Sequence, residues 1–255
     1  MFIEELMARI GVGTAVLTLK IQQTRFSHGD SIEGTLVLEG GAVEQHIERL
    51  FVKFLEYQQA GKNSYWETVE KITVAEAILV APHQVQEYAF RLPVPDTAHI
   101  TTSDYTSNST MIAAEADILW AINSSANVDV QITPDPEILV LDAAMGALGF
   151  TSTHKFFSEP LNRTLRAVQR TYIAPASLQD QISDATLQVH NEEGQVCGRL
   201  VLNHREIHLN DYIKAIFGLD KAKLPLKISS EQLLGDQGMT IATTLLQQML
   251  TQALQ

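Results

Sequence analysis

Two histidines four residues apart, in His204-Arg-Glu-Ile-His208, form the pattern in this chain closest to a metal site. Positions i and i+4 share a face on a helix and also on a strand, so both imidazoles could reach one ion. Zinc, however, takes three or four protein ligands with a carboxylate often behind an imidazole, and the order here is not the His-Glu-x-x-His of metalloproteases. The pair therefore reads as polar residues at a strand edge or turn, and no metal is assigned. Asp180 with Asp184, Glu192 with Glu193, and Asp135 with Glu137 are carboxylate pairs. Acid/base chemistry needs burial or a neighbouring charge to separate two carboxyl pKa values. All three stretches read as loop or turn, which predicts solvated charge. Ser27-His28-Gly29-Asp30 holds the residue types of a hydrolase triad, but neighbours on one tight turn cannot converge on a substrate. Cys197 has no histidine adjacent in sequence, and a nucleophilic thiol needs a depressed pKa. It reads as a half-buried strand residue. No catalytic residue and no cofactor follow from these patterns.

Trp66 and Trp120 are the residues that could stack on a sugar ring. Trp120 falls on the apolar face of an alternating stretch, which predicts a core position. Trp66 follows Gly61-Lys-Asn-Ser-Tyr65 and keeps open a carbohydrate- or small-ligand-binding module. Exposure of Tyr65 and Trp66 side by side decides that alternative.

The elements that must carry these residues are mostly strands. Leu17, Leu19 and Ile21 alternate with Val16, Thr18 and Lys20, the pattern of a half-buried strand. Gly29-Asp30 then turns the chain, and Ile32, Gly34, Leu36 and Leu38 take the inward positions of a second strand. Gly40-Gly41 reads as a second hairpin turn with φ above zero. From Ile47 to Tyr57 both faces carry apolar residues, which suits an interior strand. Tyr65 to Val80 is β-rich, and Tyr88 to Pro93 ends at a residue that cannot continue a ladder. Thr101 to Thr110 is a polar loop, after which Ile112, Ala114, Ala116, Ile118, Trp120 and Ile122 share one face.

Pro134 and Pro136 break that pattern, so a domain boundary is expected at Thr133 to Glu137. Residues 1–133 form the expected first domain and 134–255 the second. Ile138, Leu141, Met145 and Leu148 recur at helical spacing before Gly149, predicting a linking helix over about 137–149. Ala185 to Val189 and Gly198 to Leu202 read as strands joined by a turn at Glu192-Glu-Gly194, and Asn210 to Phe217 as a helix. A charge-free C-terminal helix is expected over about 239–254. Its stripe of Ile241, Leu245, Met249 and Ala253 is bordered by Leu246, Leu250 and Leu254, and its polar face lacks the cations of membrane-surface helices. Docking on its own domain is the first expectation for this stripe. The alternatives are a partner protein, met through Leu246, Met249, Leu250 and Leu254, or a homodimer, which unpaired sheet edges also allow.

At 255 residues the chain suits two sandwich domains, and its net charge of −12 disfavours nucleic acid and anionic lipid. One cysteine permits no internal disulfide. Met1 to Ile10 carries acids where an export signal carries basic residues and reads as a short helix. No apolar run approaches the roughly 20 residues of a membrane span. A cytoplasmic protein without membrane insertion is expected.

The turns and strands above also resemble a known family. Gly29, Asp30, Ile32 and Gly34, then Gly40, Gly41, Glu44, Gln45 and Ile47, then Phe90-x-Leu92-Pro93, are similar to motifs of the sporulation-control (SpoOM-like) family, bacterial relatives of arrestins. Met145-Gly-Ala-Leu-Gly-Phe150 looks like that family's helix between domains, and Tyr212 to Asp220 resembles a segment of its second half. The resemblance implies an all-β fold of two tandem arrestin-like (immunoglobulin-like) β-sandwiches, with the short linking helix and the amphipathic C-terminal helix. It further implies a non-enzymatic regulatory, adaptor or scaffold role exerted by binding other proteins, and control of sporulation in spore-forming members.

Overall fold

Residues 14–60, 62–101, 109–119, 123–153, 156–160, 166–204 and 221–254 are described in the computed structural model. Their contacts divide the chain into two units, Met1–Thr133 and Pro134–Gln255. The fold is all-β in class.

In the first unit the alternating stretches become β1 (Val16–Ile21), β2 (Arg25–Phe26), β3 (Ser31–Glu39), β4 (Gln45–Ala60), β5 (Asn63–Val80), β6 (Val85–Pro93), β7 (Thr110–Ile118) and β8 (Ser124–Ile132). They form a three-stranded sheet, β1-β3-β6, and a five-stranded sheet, β2-β8-β7-β4-β5. Among the described residues only β2 and β8 pair in parallel. Leu17, Leu19, Ile32, Leu36, Leu38, Phe90 and Leu92 of the first sheet share one core with Leu50, Val52, Phe54, Ile112, Ala114, Ile118 and Ile132 of the second. Each large side chain so buried contributes about 1.5–3 kcal/mol. Period-two alternation survives in β7 because one face meets this core; Trp120 and Ile122 lie outside the described residues.

The Gly29-Asp30 turn closes as its residues predict, with Ser27 N–H donating to Asp30 Oδ2 at 2.7 Å. Gly40-Gly41 does not make the hairpin turn expected of it. Neither glycine has a positive φ. β3 pairs with β1 and β6 while β4 pairs with β5 and β7, so the chain crosses between sheets at this point. Glycine is needed at 40 because a Cβ there would sit 2.1 Å from the Ala81 carbonyl oxygen. The Gly40 N–H donates instead to the Gln84 carbonyl at 2.8 Å.

The second unit opens with α1 (Pro136–Ala147), with proline inside the first turn, where its missing N–H costs nothing. The helix closes with a Schellman motif: Phe150 N–H donates to the Met145 carbonyl and Gly149 N–H to that of Gly146, with Gly149 at φ +85°. There follow β9 (Thr151–Ser152), β10 (Phe157–Pro160), β11 (Arg166–Ile173), β12 (Ile182–Glu192), β13 (Gln195–His204) and β14 (Lys221–Ser229). Then come α2 (Ser230–Leu234) and α3 (Gly238–Ala253). The strands form one sheet, β10-β11-β12-β13-β14, with β9 also on β11. Tyr172, Ala185, Leu187, Leu200, Leu202 and Leu226 are buried on one of its faces. Among the described residues the layer on that face is helical. Ile138, Leu141, Ala144 and Met145 of α1, and Ala242, Leu246, Met249 and Leu250 of α3, are buried with it. The expected helix over Asn210 to Phe217, the Tyr212–Asp220 segment and the Met1–Ile10 helix lie outside the described residues.

Candidate interaction surface

The structure separates the residues whose types suggested chemistry. The Ser27 and Thr133 hydroxyls lie 3.1 Å apart, His28 Nε2 lies 2.9 Å from the Ala98 carbonyl oxygen, and Asp30 is bonded to the Ser27 amide. The three side chains thus bond to three different groups: a threonine hydroxyl, a backbone carbonyl and a backbone amide. Asp180, Glu192 and Glu193 are exposed, as solvated carboxylates are. Asp184 accepts hydrogen bonds from Ser183 Oγ and Asn203 Nδ2. His204 is half-buried at the end of β13, and His208 lies outside the described residues. Among the described residues no three His, Cys, Asp or Glu side chains are grouped to hold a metal.

Asp135 and Glu137 correct the solvated-loop reading, being only 6% and 9% exposed. The prolines that stop β8 also start α1, and acids at a helix N-terminus meet the positive end of its dipole. Asp135 Oδ2 accepts a 2.7 Å hydrogen bond from Asn191, and its carbonyl accepts the Ile138 and Leu139 amides. Cys197 is half-buried and lies directly across from His190 on β12 and Lys227 on β14. Sequence adjacency missed this histidine. Counting outward from a two-residue turn at Glu193–Gly194, with Glu192 opposite Gln195, would have found it.

Tyr65 and Trp66 are both exposed, but as consecutive strand residues they point to opposite faces of β5. Trp66 instead meets Tyr57 edge-on, with ring centroids 5.5 Å apart. The side-by-side platform that a sugar site requires is not formed by this pair. Trp120 lies outside the described residues.

Two polar clusters were not anticipated. In the first unit Glu56 continues the core-facing row Leu50, Val52, Phe54 and is 3% exposed. Its carboxylate accepts the His99 amide at 2.5 Å, and its other oxygen lies 2.5 Å from His99 Nδ1. Thr110, opposite Glu56 in register, buries its hydroxyl without a hydrogen-bond partner among the described residues. In the second unit Asp142 of α1 accepts Tyr172 OH at 2.7 Å and Arg170 Nη1 at 2.8 Å, both from β11. Burial pushes the Tyr172 phenol well above its ordinary range, and the Asp142 carboxylate adds to that shift.

The C-terminal stripe is turned relative to its sequence reading. Leu246, Met249 and Leu250 are buried within their own unit, α3 packing on α1, α2 and β14, and Leu254 is half-buried. As folded, the first three present no free surface to a partner. Ile241 and Leu245 are left half-buried beside β14. They border a groove of about 390 Å³ with Lys227, Ile228, Gln232, Thr240, Thr244 and Gln248. Among the described residues β14 is an edge of its sheet, so backbone groups and apolar side chains lie next to one another here.

Residues 3–197 match the family model described as SpoOM protein. The sporulation-control protein spo0M of Bacillus subtilis (strain 168) is 20% identical over 153 residues, 58% of this chain and 58% of that protein. The chain thus aligns with less than two thirds of this curated relative. The crystal structure of Spo0M, sporulation control protein, from Bacillus subtilis superposes with a TM-score of 0.71 at 15% identity, covering 94% of this chain and 99% of that one. At that identity the likeness establishes the fold.

Proposed function

Because the chain belongs to the SpoOM protein family, we propose that it is an arrestin-like regulatory or adaptor protein acting in the cytoplasm by binding other proteins, without catalysis of its own. On this reading the two units are two domains meeting at Thr133–Pro134, and the process regulated takes sporulation as its first candidate, after the named relative. The observation that carries the reading is the edge position that β14 has among the described residues, beside an apolar groove. Exposed edges bind partners by strand addition, with backbone hydrogen bonds for affinity and side-chain pockets for specificity. Among the described residues no helix is long and apolar enough to cross a membrane, and the net charge of −12 opposes nucleic acid.

The test is affinity capture of the tagged full-length chain from its own host after cross-linking in cells. Deleting residues 238–255 is not a usable control, since it removes Ala242 and Leu246, both fully buried. Specific proteins enriched over an unrelated tagged control are the expected result. A chain recovered free of protein partners but carrying a sugar or metal would overturn the proposal.

A further inference from the structure

We propose that the groove between β14 and α3 receives a short extended peptide in which acidic residues alternate with apolar ones, added as a further strand along β14. The inference rests on the protein-binding reading above and names the partner's chemistry. Pro225 lies in β14 opposite Arg199. Lacking an N–H, it is accommodated on a strand only where that position faces away from the ladder. The backbone groups of Lys223 and Lys227 share its parity, so they too point away from β13, toward an incoming chain.

The side chains divide by the same parity. Leu226 and Ile228 are buried on the helical side, 3% and 6% exposed, whereas Lys223 and Lys227 are exposed on the other. Neither lysine has an ion-pair partner among the described residues. Residues directly opposite across a ladder share a face. A peptide residue facing Lys223 or Lys227 therefore sits beside an ammonium group, while its neighbours turn into the groove against Ile228, Ile241 and Leu245. In an antiparallel addition the complementary order is apolar, acid, apolar, any, apolar, acid, with the acids four residues apart and the leading apolar residue over Ile228 in the groove. α3 carries no charge to oppose it. Pro225 offers only its carbonyl, which keeps the pairing short and guards the edge against unlimited strand addition.

A fluorescein-labelled peptide Leu-Glu-Leu-Thr-Leu-Glu-Thr, titrated into the full-length chain and read by anisotropy, tests this directly. Lys223→Glu/Lys227→Glu should weaken it by at least about tenfold, and replacing the peptide's two Glu by Lys should restore binding to that variant. Because both lysines are exposed, a circular dichroism melt of the variant is expected to match that of the unchanged chain. No binding, or binding that ignores the charge reversal and its compensation, would overturn the proposal. A concentration-dependent dimer in sedimentation that the reversal abolishes would assign the edge to a second copy and overturn the peptide. Host proteins captured equally by both forms of the chain would leave the regulatory reading standing and remove this surface from it.

Discussion

Replacing Asp142 by alanine should loosen α1 from β11. Its carboxylate receives two hydrogen bonds, from the Tyr172 phenol at 2.7 Å and the Arg170 guanidinium at 2.8 Å. Tyr172 is 1% exposed, and the Arg170 and Asp142 side chains are 20% and 23% exposed. Bonds to charged groups contribute about 1.5–3 kcal/mol each, and breaking a buried pair by removing one partner costs about 3–5 kcal/mol. Partial solvent access places Asp142→Ala near the lower end, at about 3 kcal/mol. Tyr172→Phe removes one bond and leaves the Arg170 pair, so it should cost about 1.5–3 kcal/mol. The double variant should cost less than the sum, by about 1–2 kcal/mol, because no phenol is left without an acceptor. Urea unfolding of the full chain resolves the effect. Both tryptophans precede Thr133, and the described helices all follow it, so fluorescence reports the first unit and far-ultraviolet circular dichroism chiefly the second. Only the dichroism transition should move. Additive single and double variants, or an equal shift in both signals, would refute this role of Asp142.

The same cluster sets a pH dependence. The folded phenol of Tyr172 is held above its ordinary value, so its stabilising term is complete below the unfolded pKa of about 10 and is lost as pH rises beyond it. The second unit should therefore lose stability more steeply in alkali than Tyr172→Phe does, which midpoints across alkaline buffers will show. In the first unit Glu56→Ala should cost about 3–5 kcal/mol, read by tryptophan fluorescence, with Glu56→Gln retaining part of the loss. Gly40→Ala should destabilise the same transition by about 1–3 kcal/mol, because the added carbon meets the Ala81 carbonyl in a packed crossover. Leu246→Ala should cost about 2–5 kcal/mol and Leu254→Ala clearly less, as their burial requires.

Much of the fold is written in local patterns. β1, β3 and β7 alternate because each has one face on the core and one away from it, so burial alone imposes a period of two. Both ends of α1 are readable, since proline at its start and glycine after its end answer to backbone constraints of a few neighbouring residues. The Glu192–Gly194 turn is readable for the same reason, and so is the amphipathic character of α3.

Other features depend on residues far apart in the chain. A glycine pair looks alike whether it turns a hairpin or carries the chain from one sheet to another, and only the approach of Ala81 shows which role Gly40 has. Asp135 and Glu137 look solvated until α1 begins on them. Glu56 was marked only by its parity with Leu50, Val52 and Phe54, and its partner His99 comes from a connection 43 residues later. The apolar face of α3 is broad, so composition cannot say which part meets the core. Contact with α1 and β14 turns Leu246 inward and leaves Ile241 and Leu245 along the groove. That groove, and the edge it borders, exist only once β14 has paired on one side, because an interaction surface is a property of what packing leaves uncovered.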